Sequence, residues 1–256
     1  MTWTYAPSGK QPQLSNPVVI EGLPGVGNCG KVAVDFLVDA SKAVKIGEFH
    51  SFQYPHSAFV NEKNIIELPR IELHAAPARD ALFLVGDVQP INEESCYAFC
   101  ECALNVFKQM NASLLVTMGG IGLRSPPKKP KIYCCGTGKK ATERFLKAAN
   151  VERDLYGYVG PIIGVTGVLA GLAGRRGIPA AVLLAETHGH PMHLGVKGAR
   201  ELLRVVNSAL GLKLNVKDLE KDIMELEEEL LKRTREVQAM RKPRGPQAAE
   251  DTSYIG

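Results

Sequence analysis

Short runs of β-branched and aliphatic residues alternate along this chain with longer stretches whose apolar positions recur every three to four residues. The first pattern has the period of strands and the second that of amphipathic helices. Their alternation predicts an α/β fold with a largely parallel sheet. Pro17–Ile20 reads as a short strand. Asn28–Ala40 reads as a helix with Val32, Phe36, Leu37 and Ala40 on one face. Extended segments are expected near Val44–Phe49 and Ile65–Leu73. Ala81–Gly86 is an unbroken apolar run with the length of a strand covered on both faces. Asn92 is a good N-cap for the next helix, and Glu93 and Glu94 suit its first turn. Its inner face comprises Cys96, Phe99, Cys100, Ala103, Leu104 and Phe107. Ser113–Met118 follows as a strand ending in Gly119-Gly120, Ala180–Ala185 as a final core strand, and Gly198–Leu210 as a helix over the sheet.

Residues 155–174 carry no charge and have the length of a membrane span. Glycines, a proline and two tyrosines make the stretch only mildly apolar, so a buried helix is the expectation. Gly160, Gly164, Gly167, Gly171 and Gly174 recur at spacings of four and three. On a helix they form one flat stripe for close packing, which Gly177 and Pro179 then stop.

Past the core the pattern changes. Asn215 and Asp218 can start a helix reaching about Arg241. Leu219, Ile223, Leu226, Leu230 and Val237 keep a heptad seam along it, over ~39 Å. Its acidic first half and basic second half suit the helix dipole and antiparallel pairing with a second copy, beside packing on its own core. The chain therefore divides into an arm (1–14), an α/β core domain (15–211), a heptad-patterned helix (212–241) and a flexible tail (242–256). The tail closes on Tyr254, Ile255 and Gly256, apolar enough to suggest a docking peptide.

Composition narrows the function classes. Lysine and arginine exceed aspartate and glutamate by 31 to 27, too small and scattered an excess for a nucleic-acid footprint. Hydrophobic residues at 45% exclude a disordered chain. Six cysteines in a chain this long, without an apolar leader, read as free thiols in a reducing, cytoplasmic setting.

Candidate chemistry is sparse. Gly25, Gly27 and Gly30 match G-x-G-x-x-G after a strand and at a helix start, with Glu48 near the spacing of a ribose-binding acid. A nucleotide- or nucleoside-binding enzyme is thus one reading. Against it, Gly22-Leu23-Pro24 parts the strand from the first glycine, and no second mononucleotide half follows, which favours a structural turn. Gly136–Lys140 echoes a P-loop but lacks its first glycine and its hydroxyl residue. Glu186, His188, His190 and His193 invite a metal or acid–base reading, beside that of a hydrogen-bonded loop. Cys96 and Cys100 lie one turn apart, as buried inert thiols would. The basic loop Ser125–Lys131 reads as a solvated surface.

Five separated segments belong together. Glu21–Asp35 (EGLPGVGNCGKVAVD), Gly86–Pro90 (GDVQP), Met118–Gly122 (MGGIG), Gly164–Gly171 (GVTGVLAG) and Glu186–Gly189 (ETHG), in this order, resemble the proteasome assembly chaperone 2 family in its archaeal branch. The resemblance covers about residues 15–240. It implies a three-layer α/β sandwich like that of purine nucleoside phosphorylases, and a cytoplasmic, homo-oligomeric binding protein rather than an enzyme. It implies binding to α subunits of the proteasome core particle, as assembly chaperone or ATP-independent activator, without cofactor or metal, nucleic acid or membrane. Family tails carry a hydrophobic residue, a tyrosine and any last residue, with the aromatic ring buried and the terminal carboxylate paired to a pocket lysine. Here Tyr254 stands third from the end, so Tyr254 and the Gly256 carboxylate would dock in a shifted register. An oligomeric adaptor for a non-proteasomal partner is the remaining alternative.

Overall fold

The computed structural model describes residues 3–9, 11–61, 63–147, 151–190 and 193–214. The predicted seam Leu219–Val237 and the tail Tyr254–Gly256 lie outside the described residues. Among the described residues, eleven strands and five α-helices follow in chain order. They are β1 (Thr4–Pro7), β2 (Val18–Gly22), α1 (Cys29–Ala40), β3 (Val44–His50), β4 (Phe59–Val60), β5 (Ile66–Glu67), β6 (Ile71–Ala76) and β7 (Ala81–Gly86). Next come α2 (Glu93–Gln109), β8 (Leu114–Leu123), β9 (Ile132–Gly136), α3 (Lys139–Leu146), β10 (Val151–Glu152), α4 (Val165–Arg175), β11 (Ala180–His188) and α5 (Val196–Leu210).

Nine strands form one sheet in the order β1-β3-β6-β7-β2-β8-β11-β9-β10, while β4 and β5 pair only with each other. The centre, β7-β2-β8-β11, is parallel, and β3, β6 and β9 run antiparallel to their inner neighbours. β7 is buried at every residue, as expected of a strand covered on both faces.

One apolar cluster joins the sheet to α1, α3 and α5 through Leu37, Phe83, Val116, Phe145, Leu183 and Leu202. The other joins the opposite face to α2 and α4 through Phe49, Leu82, Phe99, Leu104, Leu169 and Leu184. Helices on both faces make three layers. Trp3, just ahead of β1, packs edge-on against Phe99 at 4.9 Å and donates from Nε1 to Ser95 Oγ at 3.0 Å. The amino-terminal segment is thereby part of the sheet and its core. At the other end Leu212 and Leu214 are buried, and Asn207 brackets the Leu214 backbone through both its amide nitrogen and its oxygen.

Several expectations change. β8 runs on through Gly119–Gly122, because β11 pairs with it as far as Leu123. The glycine stripe is not one helical surface: Gly164, at φ +84°, stands outside α4, and Gly160 precedes it in a loop. Gly167 meets the helix's own preceding loop at Ile162, Gly174 meets Thr137, and Gly171 faces open space. Residues 155–174 are accordingly a loop followed by α4, which starts at Val165 and runs on to Arg175. Among the described residues no helix is long and apolar enough to cross a membrane.

Candidate functional site

Parallel strands deliver their following loops to one end of a sheet, and all five sequence motifs meet there. The glycine turn leaves β2, Gly86–Pro90 leaves β7, Met118–Gly122 closes β8 and Glu186–Gly189 closes β11. The fifth motif supplies the amino end of α4, the helix that leads into β11. Four of the motifs, all but Glu186–Gly189, line a cavity of 240 Å³ whose wall includes Leu23, Val26, Gln89, Ile121, Ile162, Thr166 and Leu184. This is the crevice outside the carboxyl ends of the strands where open α/β sheets place their ligands.

Close backbone contact sets the glycine turn. A Cβ on Gly30 would sit 2.1 Å from the Met118 carbonyl oxygen, so only glycine lets α1 lie this close to β8. Gly27 is left-handed at φ +62°, and its carbonyl accepts from the Gly195 amide at 2.7 Å, tying the turn to the start of α5. The predicted partner acid is elsewhere. Glu48 sits on β3, with β6 and β7 between it and β2, about 14 Å across the sheet. There it pairs with Lys45 at 2.7 Å. A dinucleotide fingerprint needs the acid on the strand adjoining the turn. Here the first crossover skips that position, so the glycines and Glu48 are not brought together.

Gln89 is a member of the site that spacing did not single out. Its Nε2 donates to the Pro24 carbonyl at 2.5 Å, and its Oε1 accepts from the Val165 amide at 2.9 Å. Two residues before the cavity-lining Leu23, Glu21 is fully buried, and its Oε1 accepts from the Leu23 amide at 2.9 Å. Burial pushes its carboxyl up to about 8, against smaller lowering by the Leu23 and Met118 amides and the Thr166 hydroxyl. Cys29, also at the cavity wall, is pushed up to about 11 by burial.

Glu186, at the end of β11, and the histidines His188, His190 and His193 divide their roles. Glu186 Oε1 accepts from the hydroxyls of Tyr158 at 3.0 Å and Tyr133 at 3.3 Å, and Oε2 accepts from the Lys131 amide at 3.0 Å. The two tyrosine rings stack with centroids 4.9 Å apart. Burial and the facing Glu186 carboxylate push the Tyr133 phenol above its ordinary value. His188 stacks on His190 and meets His193 edge-on. No group of three or more side chains suited to a metal ion occurs among the described residues. All six cysteines are free thiols, and mutual hydrogen bonding with Cys96 together with burial pushes Cys100 far up.

These features define a three-layer α/β protein with a largely apolar cavity, lined by four of its motifs, at the carboxyl end of its sheet. The chain belongs to the PAC2 family, whose model matches residues 19–233. It is 26% identical to PbaB of Pyrococcus furiosus, described as an archaeal proteasome activator. That match has a TM-score of 0.80 and covers 90% of this chain and 98% of that one. PbaA of the same organism, described as an archaeal homolog of proteasome-assembly chaperone, shares the fold at 22% identity and a TM-score of 0.75, over 94% of this chain and 95% of that one. An uncharacterized protein of Methanocaldococcus jannaschii is 27% identical over 246 residues, covering 95% of this chain and 93% of its own length.

Proposed function

We propose that this chain is a cytoplasmic, homo-oligomeric binding protein of the proteasome core particle, acting as an assembly chaperone or as an activator that needs no ATP. The observation that carries the reading is the match to PbaB over 90% of this chain, at 26% identity and a TM-score of 0.80. The cavity supports binding over catalysis. Cys29 is the one titratable side chain among its described lining residues, and a thiol raised by burial is neutral and weakly nucleophilic at physiological pH. The phosphorylase-like scaffold that the family resemblance implies would bring no phosphorylase activity with it, because function lives in the site.

In this reading Tyr254, Ile255 and Gly256 enter pockets between α subunits. The seam Leu219, Ile223, Leu226, Leu230 and Val237 organises the oligomer that presents several tails at once. Linked tails raise a weak single-tail affinity without any new contact. Peptide hydrolysis by preassembled core particle, with and without the full chain and without nucleotide, separates the two roles. Stimulation identifies an activator. Faster assembly from separated subunits, without stimulation, identifies a chaperone. Neither effect, together with no binding, defeats the reading.

A further inference from the structure

β8 outruns one of its two neighbours. β2 pairs with it only from Leu114 to Thr117, whereas β11 follows it to Leu123. Successive residues of a strand aim their amide and carbonyl at opposite edges. The Leu115 amide donates to the Pro179 carbonyl ahead of β11, and the Leu123 carbonyl accepts from the Gly189 amide beyond it, both at 2.9 Å. These residues of β8 therefore face β11, and Gly120 and Gly122, of the other parity, face the side that β2 has left. Both glycines line the cavity on that side, together with Gly25 and Val26 of the turn after β2. Among the described residues, neither Gly120 nor Gly122 makes a backbone hydrogen bond there. A donor and an acceptor left unmet beside apolar walls are costly, and glycine leaves them uncovered by any side chain.

The polar side chains of the lining are already engaged. Gln89 bonds Pro24 and Val165, the Thr166 hydroxyl serves Glu21, and the Cys29 thiol donates to the Gly195 carbonyl at 3.5 Å. No lysine, arginine, histidine, aspartate or glutamate lines the cavity. Val26 and Ile163, also in the lining, are 46% and 85% exposed and mark its mouth.

We propose that this cavity binds a small, neutral ring compound with a lactam edge, a ring carbonyl beside a ring N–H, and pairs that edge with the amide and carbonyl of Gly120. A strand residue holds its own N–H and C=O side by side on one edge, so a carbonyl next to an N–H is the matching pattern. A dry cavity of 150 Å³ takes benzene, so the 240 Å³ here suit about ten non-hydrogen atoms, two fused rings. Walls without a cation give no hold on a phosphate or carboxylate, which separates this ligand from a nucleotide. Burial raises the Cys29 thiol to about 11, so the compound is held without a covalent bond. Such a site is independent of the carboxy-terminal tail and of the core particle.

Calorimetric titration of the full-length chain tests it with three probes of nearly equal shape. Oxindole has the lactam edge, 2-indanone keeps the carbonyl and lacks the N–H, and indane has neither. Oxindole should bind one per chain with a Kd of about 1 mM or tighter, as ten atoms of modest ligand efficiency allow. Indane should bind at least tenfold more weakly, and 2-indanone between the two. Val26→Phe places a larger ring in the mouth, where Val26 is half exposed, and should weaken oxindole at least tenfold while circular dichroism stays unchanged. No saturable binding of oxindole at several times that concentration overturns the site. Equal affinity for oxindole and indane overturns the pairing with Gly120, and unchanged affinity in the folded Val26→Phe protein overturns the location. The probe series on the unaltered chain decides the matter even if that variant fails to fold.

Discussion

Gln89 caps a helix to which it does not belong: its Oε1 accepts the Val165 amide proton at 2.9 Å, at the first residue of α4. Gly164, the N-cap position, has no side chain to do this, and a Cβ there would strike Gln89 Oε1. Because Gln89 also donates to Pro24, one side chain joins the loops after β2 and β7 to α4. Gln89→Ala is expected to destabilise the fold by about 1–2 kcal/mol, the value of a lost cap and a lost hydrogen bond. Gln89→Glu keeps the acceptor for Val165 but sets a carboxylate oxygen against the Pro24 carbonyl, so at neutral pH it should destabilise at least as much as Gln89→Ala. Urea unfolding measures both, and equal stability of all three proteins would remove Gln89 from the account.

Two glycine-to-alanine changes should diverge. Gly30→Ala drives a Cβ into backbone at Met118, which cannot move without displacing β8, and should cost several kcal/mol or prevent folding. Gly171→Ala meets open space inside α4 and should stabilise by about 0.5–1 kcal/mol. Thermal unfolding of the pair checks the contrast. A tolerated Gly30→Ala would contradict the close contact between α1 and β8.

Glu21 gives the fold a pH dependence of definite sign. In the unfolded chain its carboxyl ionises near 4.5, and in the folded protein near 8. Between those values the folded state keeps a proton that the unfolded state releases, so stability falls as pH rises through this window and levels off above it. Each unit of upward shift makes the ionised form about 1.4 kcal/mol costlier to bury. Glu21→Gln should flatten the profile and be the more stable protein at pH 8.5. Denaturation midpoints at pH 5, 7 and 8.5 decide it, and parallel profiles for the two proteins would refute the assignment.

Tyr133 and Tyr158 share Glu186 Oε1, so their removal should not be additive. Each change to phenylalanine leaves that oxygen one donor and should cost on the order of 1 kcal/mol. Changing both strands a buried carboxylate oxygen and should cost more than the two together. A double-mutant cycle by chemical denaturation reads the coupling, and strict additivity would show that the two hydroxyls act independently.

The core of the fold was legible because its elements follow simple periods. Ala81–Gly86 is a strand at the predicted boundaries, Asn92 accepts from the Ser95 amide as an N-cap should, and the predicted inner face of α2 is buried from Cys96 to Phe107. Elements whose sequence carries mixed signals escaped. β9 (Ile132–Gly136) contains two cysteines and ends against glycine, and β1 lies in a polar amino-terminal segment held by the single buried Trp3. The candidate site was legible only as fragments. G-x-G-x-x-G suggested a phosphate turn, whereas its glycines serve the contacts of Gly30 with Met118 and of Gly27 with Gly195. Sheet order, which no local pattern encodes, carries Glu48 away from the turn and brings Gln89 into it. The one local trace of Gln89 was its place beside a proline in a motif with no assigned chemistry.

The central claim is that this chain binds the proteasome core particle, and direct binding to immobilised core particle tests it. Full-length protein is compared with a version lacking Tyr254–Gly256. Saturable binding by the full chain, weakened at least tenfold by removing those three residues while circular dichroism stays unchanged, is the predicted result. Equal binding by both forms would move the contact to the folded body and remove the tail from the mechanism. No binding by either form, to mature particle or to its unassembled α subunits, would contradict the account.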